Sequence, residues 1–176
     1  MLTRTSLAWW EDVLTHPESL ITWLQKQYHG EVTAAGRIRT FADTYSSDPT
    51  HQKILAVIAS QEEDHAAWVA SLLIARGLEP QVLSKNERYW EKTLPGIEDF
   101  VSGAAVASHA ERMRLERIQV ICDHPGTPDD IRAVFLKILP QESFHERAFA
   151  GMAGPLALDA ARGSHEQGME ALGLTL

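Results

Sequence analysis

Cysteine is almost absent from the sequence, and basic runs and long apolar runs are missing. The single Cys122 excludes an intramolecular disulfide and any metal site built from several cysteines. The formal net charge is −8, so nucleic acid and anionic membrane surfaces are unfavourable partners. No apolar run approaches the roughly 20 residues that a membrane span needs, and the N-terminus lacks the pattern of a secretion signal. We therefore expect a cytoplasmic protein with no nucleic-acid or membrane partner.

Alternating β patterns are also absent, and the apolar residues recur at the spacing of helices. Prolines and glycines divide the chain into long segments. These predict four long helices and a shorter fifth, over 17–47, 48–77, 96–126, 128–152 and 155–172. Ser47 is predicted to cap the second helix and Gly77 to end it. Residues 78–95 lack clear periodicity.

The connections between the predicted helices limit how they can pack. Only a few residues separate the first helix from the second and the third from the fourth, so each pair must be antiparallel. The middle connection of about 18 residues is long enough to run the length of a helix of about 40 Å. The sequence thus permits a single all-α domain over 1–176, a four-helix bundle with one long crossover and a core at about 17–153. The short helices at the two ends are expected to cover the bundle or to pair with another subunit, which leaves a homo-oligomer open.

An internal repeat with an offset of 80 residues relates the two halves of the chain. Gln61, Glu62 and His65 recur as Gln141, Glu142 and His145. The same offset pairs His29 with His109, Glu31 with Glu111, and Arg37 with Arg117. The repeated positions are mostly ionisable, which indicates two copies of one helical hairpin that carries a shared chemical function.

The repeated glutamates lie on apolar helix faces. Glu62 and His65, like Glu142 and His145, are three residues apart and so project from one face of a helix. Glu31 shares its face with Leu24, Ala35 and Ile38. The alternative, that Glu31 and Glu111 are solvated surface charges, fits these neighbours poorly.

Four carboxylates crowded inside a bundle require positive charge, because they repel one another and each loses hydration. Two divalent cations balance the four negative charges, and the two neutral imidazoles supply one terminal ligand to each ion. The residues themselves therefore predict a site for two divalent metal ions.

This pattern resembles the ligand set of the ferritin-like di-iron carboxylate superfamily, which places one glutamate on each of two helices and Glu-x-x-His on each of the other two. The resemblance covers about residues 17–153. It implies a ferritin-like bundle in which the middle connection is the crossover, and two Fe ions, with Mn/Fe or Zn as alternatives. The metal ligands that it implies are Glu31, Glu62, His65, Glu111, Glu142 and His145.

Departures from known subfamilies bear on the activity. Rubrerythrin-type peroxidases carry an additional glutamate where this sequence has Arg114, and often a four-cysteine domain. Bacterioferritin has a haem-binding methionine where Glu63 stands here, and ordinary ferritin lacks the histidine that corresponds to His145. By subtraction the resemblance favours an O₂-activating di-iron oxidase or hydroxylase (monooxygenase). More broadly, we expect an oxidoreductase that activates O₂ or peroxide, with an external electron donor and an unknown small-molecule substrate. The alternatives are an iron-storage protein with ferroxidase activity only, and a bundle that holds zinc or no metal and binds a partner.

Other residues receive weaker interpretations. Tyr28 has either a radical or hydrogen-bonding role or a place in the core. His29 and His109 are about 200° away from the neighbouring glutamates around the helix and are predicted to face outward. Pro140 is predicted to bend a continuous helix and so to open access to the metals. Three acidic residues are predicted to be solvated: Glu63, Asp64 and Glu146. No role is assigned to four further histidines: His16, His51, His124 and His165.

Overall fold

The computed structural model describes residues 4–84 and 87–174, and within these ranges the regular structure is helical. The α-helices are α1 Ser6–Thr15, α2 Pro17–Tyr45, α3 Pro49–Ile74, α4 Arg88–Thr93, α5 Phe100–Asp123 and α6 Asp129–Leu172. A 3₁₀ turn spans Leu94–Gly96, and an isolated bridge joins Arg4 and Leu174. The predicted all-α fold is confirmed. None of the described helices combines the length and the apolar character that crossing a membrane would require.

The ends of α3 show how local chemistry sets a helix boundary. The carboxylate of Asp48 accepts hydrogen bonds from the amides of Thr50 at 2.6 Å and His51 at 3.3 Å, and these bonds lower the pKa of Asp48. Ser47 was therefore the wrong choice of cap, because the next residue occupies that position. After α3, Gly77 adopts φ +72° and its amide binds the carbonyl of Ile74, which confirms the predicted glycine stop.

Helix α6 contains two prolines with different effects. The helix continues through Pro140, as predicted, and the bend expected there stays a prediction. At Gly154 the backbone takes φ 74° and ψ 166°, which are not helical values, and Pro155 follows at once. Pro155 is suited to the first turn of a new helix, so the predicted fifth helix over 155–172 is a separate helical segment that begins at this break.

The segment without periodicity is partly helical. Residues 78–95 were expected to be an irregular connection, but they contain α4 and most of the 3₁₀ turn. The short α4 is held in place by the burial of Tyr89 and Thr93, and no repeating pattern in the sequence predicts that burial.

The hairpin unit is one of two compact units that the described residues form, and it comprises Trp10–Ser84 and Ile121–Ile138. In it α2 and α3 pack together across a three-residue connection. Trp10 is fully buried, meets Trp23 edge-on at 4.7 Å, and donates its indole N–H to Thr127 at 2.8 Å. The ring of Phe135 also packs on that of Trp23, with centroids 5.5 Å apart. Trp10 thus belongs to the core of this unit, and α1, which carries Trp10, helps to cover that core.

The terminal unit takes its described residues from 1–9, 85–120 and 139–176. Its core includes Ala104, Ile118 and Phe149, all buried. Asp99 precedes α5, and its carboxylate accepts the amide of Ser102 at 2.7 Å. Gly168 lies against the ring of Tyr89, and this close approach holds α4 on α6.

Candidate metal centre

The first cluster lies in the hairpin unit and consists of Glu31, Glu62 and His65. Helix α2 supplies Glu31, and α3 supplies the other two one turn apart. All three side chains are inaccessible to solvent. The Nδ1 atom of His65 lies 3.8 Å from Glu31 Oε2 and 3.7 Å from Glu62 Oε2. One ligand atom from each residue falls within 4.8 Å of those of the others.

The amide of Gln27 orients one carboxylate of the first cluster. Its Nε2 donates to Glu31 Oε1 at 2.6 Å, from a position one turn earlier on α2. Since the other oxygen of Glu31 faces His65, the two oxygens of this carboxylate have distinct neighbours. Such support from a neighbouring side chain fixes the direction of the carboxylate.

The second cluster lies in the terminal unit and consists of Glu111, Glu142 and His145. Helix α5 supplies Glu111 and α6 supplies the other two. Glu142 and His145 are inaccessible and Glu111 is buried. His145 Nδ1 lies 3.4 Å from Glu142 Oε2, and ligand atoms of the three residues lie within 4.8 Å of one another. Within each unit the structure thus brings together the three residues that the sequence pattern grouped.

Arg114 contacts the second cluster directly. Its Nε lies 2.9 Å from Glu142 Oε1, and the arginine side chain keeps 19% of its exposure while that of the glutamate has none. The sequence pattern identified Arg114 only as a departure from a subfamily, not as a partner of a proposed ligand. Its position on α5, one turn after Glu111, was the available signal.

The donor set of each cluster fits a divalent metal ion. Two carboxylates and one neutral imidazole are ligands for Fe, Mn and Zn, and their convergence away from water is costly without a positive charge. In both clusters the histidine turns Nδ1 toward a carboxylate, which places a ring nitrogen where an ion between these groups would lie.

Two histidines were wrongly predicted to face outward. His29 is buried, and its Nδ1 accepts the amide of Leu83 at 3.1 Å. His109 is partly buried and its Nε2 lies 2.8 Å from the carbonyl oxygen of Leu158. The angle around the helix correctly separated both histidines from the glutamates. It did not reveal that later segments of the chain pack on that second face.

Sequence reasoning also missed a buried tyrosine–histidine pair in the terminal unit. The hydroxyl of Tyr89 lies 2.8 Å from His165 Nδ1, and the ring of His165 stacks on that of His109 at 4.8 Å. Burial, with nearby His109 adding to it, lowers the pKa of His165 to about 4. Burial, reinforced by the charge of Glu111, raises the pKa of Tyr89. No spacing in the sequence links α4 to the end of α6, so this pair had no local signal.

The charged residues beside the first cluster on α3 are exposed, as predicted. Glu63 and Asp64 are exposed, and Glu63 pairs with Arg39 at 2.5 Å on the surface. Tyr28 is half-buried, and its proposed role stays a prediction.

Next to Pro140 a surface groove of about 560 Å³ separates parts of α5 and α6. Its lining residues are Leu115, Glu116, Gln119, Leu139, Pro140 and Ser143.

In a comparison with protein families, residues 23–153 match the model described as Rubrerythrin. The match covers most of the chain, and the chain therefore belongs to the rubrerythrin family, within the ferritin-like di-iron proteins. The resemblance drawn from the glutamate and histidine pattern is confirmed, and Arg114 is a departure within the family. Comparison with curated proteins and with solved structures finds no match.

Proposed function

We propose that the first and second clusters act together as one dinuclear metal centre, with iron as the metal in the cell. We propose further that this member of the rubrerythrin family is an oxidoreductase that activates O₂ or peroxide. The observation that supports it is the pair of buried clusters, each with one glutamate from one helix and Glu-x-x-His from another.

Charge supports the number of ions. Four ionised glutamates carry a charge of −4, two divalent ions offset it, and the two histidines stay neutral as ligands. Glu31, Glu62 and His65 would hold one ion, and Glu111, Glu142 and His145 the other. The carboxylates can chelate one ion or bridge both, which lets the chain adjust its ligands when the oxidation state changes.

When bound, two Fe(II) ions would supply the electrons that reduce O₂ or peroxide. The chain's own part is to bind and orient the ligands and to keep water away from them. Gln27 holds Glu31 in place. Because the side chains of Glu62 and Glu142 are inaccessible to solvent, water would not readily replace them on the bound ions. The sequence has no second cysteine from which an iron–sulfur site could be built, so we assign the supply of electrons to an external donor.

Anaerobic loading with Fe(II) followed by O₂ or peroxide tests this function. The wild type should oxidise two Fe(II) per chain and, with an artificial reductant, continue to consume oxidant over many turnovers. Glu62→Gln should abolish both. Its matched control is Glu63→Gln, the adjacent glutamate on the exposed face of α3, which should leave both unchanged.

Other outcomes would assign a different function. Uptake of many ferric ions per chain by a large assembly, without turnover, would favour iron storage. Tight binding of Zn(II) with no oxidation of Fe(II) would favour a role that does not involve redox chemistry. Equal loss of activity in Glu62→Gln and Glu63→Gln would contradict the assignment of the ligands.

A further inference from the structure

Arg117 on α5 is a half-buried cation for which the described residues provide no ion pair. Its Nε is shielded from water and has no hydrogen-bond partner there. The guanidinium carbon lies 5.1 Å from the centre of the Trp9 ring, which belongs to the same terminal unit. A guanidinium carries five N–H donors, and burying a charge without a partner is costly, so this position lacks an acceptor.

The equivalent arginine of the other half has an acceptor that Arg117 lacks. The offset of 80 residues pairs Arg117 with Arg37 and Met113 with Thr33. Arg37 Nη2 donates to Oγ1 of Thr33 at 3.2 Å, one turn earlier on α2. Methionine offers only a weakly accepting sulfur, so the second half keeps the cation without this hydroxyl.

The charges around Arg117 leave it ionised. Burial lowers its pKa to about 10, attraction to Glu116 opposes this change, and the charges of Arg4 and Arg114 add to it. The guanidinium is therefore charged near neutral pH. The neighbouring carboxylate does not pair with it, since Glu116 accepts the hydroxyl of Ser6 at 2.8 Å instead.

We propose that Arg117 and Trp9 form a binding site for the carboxylate of a small organic acid. The Trp9 ring covers one face of the guanidinium, and the N–H groups lie in the plane of that group, so its edges remain for a ligand. A carboxylate fits such an edge through two parallel hydrogen bonds. The hydrocarbon part of the acid can then lie against the ring of Trp9.

One guanidinium edge matches one carboxylate in charge and in number of oxygens. A phosphate group carries up to two charges and three strong acceptor oxygens, more than this edge can satisfy. The site goes beyond the proposed function, because it uses none of the proposed metal ligands and requires no bound metal.

Titration calorimetry of the full chain with benzoate, in the metal-loaded and the metal-free form, tests the site. Benzoate carries one carboxylate on an aromatic ring, and benzamide has nearly the same shape without the charge. Both forms should bind one benzoate per chain and bind benzamide at least about tenfold more weakly. Arg117→Gln should weaken benzoate binding by at least about tenfold. Its matched control, Arg112→Gln, removes an exposed arginine of the same helix and should change the affinity by less than about twofold.

Two variants at Met113 test the missing acceptor while keeping Arg117. Met113→Glu places a carboxylate four residues before the arginine on one helix, a spacing at which the two side chains pair. This internal carboxylate should occupy the guanidinium, weaken benzoate binding by at least about tenfold and raise the melting temperature without ligand. Met113→Leu supplies no acceptor and should leave the affinity within about threefold of the wild type.

Thermal unfolding establishes that each variant is folded before it is titrated, and Met113→Glu decides the question if Arg117→Gln does not fold. Equal affinity for benzoate in the wild type and in the folded test variant would overturn the inference. Equal affinity for benzoate and benzamide, or benzoate binding only to the metal-loaded form, would also overturn it. Inorganic phosphate that binds more tightly than benzoate, with the same dependence on Arg117, would contradict the assignment to a carboxylate.

Discussion

Gly168 on α6 leaves no room for a side chain, and Gly168→Ala is the substitution whose effect the structure defines best. A Cβ atom at this position would lie 2.6 Å and 2.8 Å from Cδ2 and Cε2 of Tyr89, and 3.4 Å from Cγ2 of Thr93. Ordinary contacts between carbon atoms are about 3.5 to 4.0 Å, so the ring would have to move by roughly 1 Å. Tyr89 is buried and bonded to His165, and therefore cannot turn away without losing contacts.

Two opposing effects set the size of the change. Replacing glycine by alanine inside a helix gains about 0.5 to 1 kcal/mol from the lower entropy of the unfolded chain. Overpacking a well-filled core costs about 1 to 3 kcal/mol. We expect the second effect to win, because the obstacle is an anchored aromatic ring, and Gly168→Ala should lower the free energy of unfolding by roughly 1 to 2 kcal/mol.

The matched control is Gly163→Ala, one and a half turns earlier on the same helix. A Cβ at Gly163 meets nothing within 4 Å, so only the gain in helix stability remains. This variant should be more stable than the wild type by about 0.5 to 1 kcal/mol. Urea denaturation of the metal-free proteins measures both changes on the same scale.

A double-mutant cycle with Tyr89→Ala isolates the clash. Once the ring is removed, Gly168→Ala should no longer destabilise the protein. The reasoning is refuted if Gly168→Ala is as stable as Gly163→Ala, or if its cost persists without the ring of Tyr89.

Three further predictions concern pH, charge and access. The pKa of His165 is lowered to about 4 from 6.5, so the folded state favours the neutral ring. The resulting stability is present above pH 6.5 and is lost as pH falls from 6.5 to 4. In urea denaturation, His165→Asn should flatten this pH profile by roughly 1 to 3 kcal/mol, whereas the exposed His16→Asn should not. Glu111→Gln removes one buried carboxylate, so calorimetry should show weaker metal binding and the melting temperature of the metal-free protein should rise; a fall would argue against repulsion among the glutamates. Pro140→Ala should alter the rate of Fe(II) oxidation while leaving two ions bound, and equal rates in stopped-flow absorbance would leave Pro140 without a role in access.

The clustering of the buried glutamates and histidines was predictable because burial of ionisable groups leaves a pattern within each helix. Glu62 and His65 stand out on an apolar face, and the repeat at Glu142 and His145 strengthens the signal. The helix lengths followed from prolines and glycines, which act on the backbone locally. The cap was predicted one residue too early, at Ser47, because serine and aspartate are both suited to capping; in the structure the carboxylate of Asp48 accepts the amides of Thr50 and His51.

The contacts between distant segments were not predictable. Tyr89 and His165 are 76 residues apart, and neither belongs to a repeating pattern. His29 and His109 were assigned to solvent because they lie on the helix face away from the glutamates. The assignment failed because later segments of the chain cover that face. The pair of Arg114 with Glu142 depended on which way a long side chain turns, and spacing alone does not determine that.

The most direct test of the dinuclear centre is Mössbauer spectroscopy of protein loaded with ⁵⁷Fe(II) and then exposed to O₂. Two ferric ions that share carboxylate ligands couple magnetically. The account therefore predicts a quadrupole doublet without magnetic splitting in a weak applied field at liquid-helium temperature. The coupled iron should amount to two ions per chain. Magnetically split spectra typical of isolated ferric ions, or one ion per chain, would contradict the claim that the two clusters form one centre.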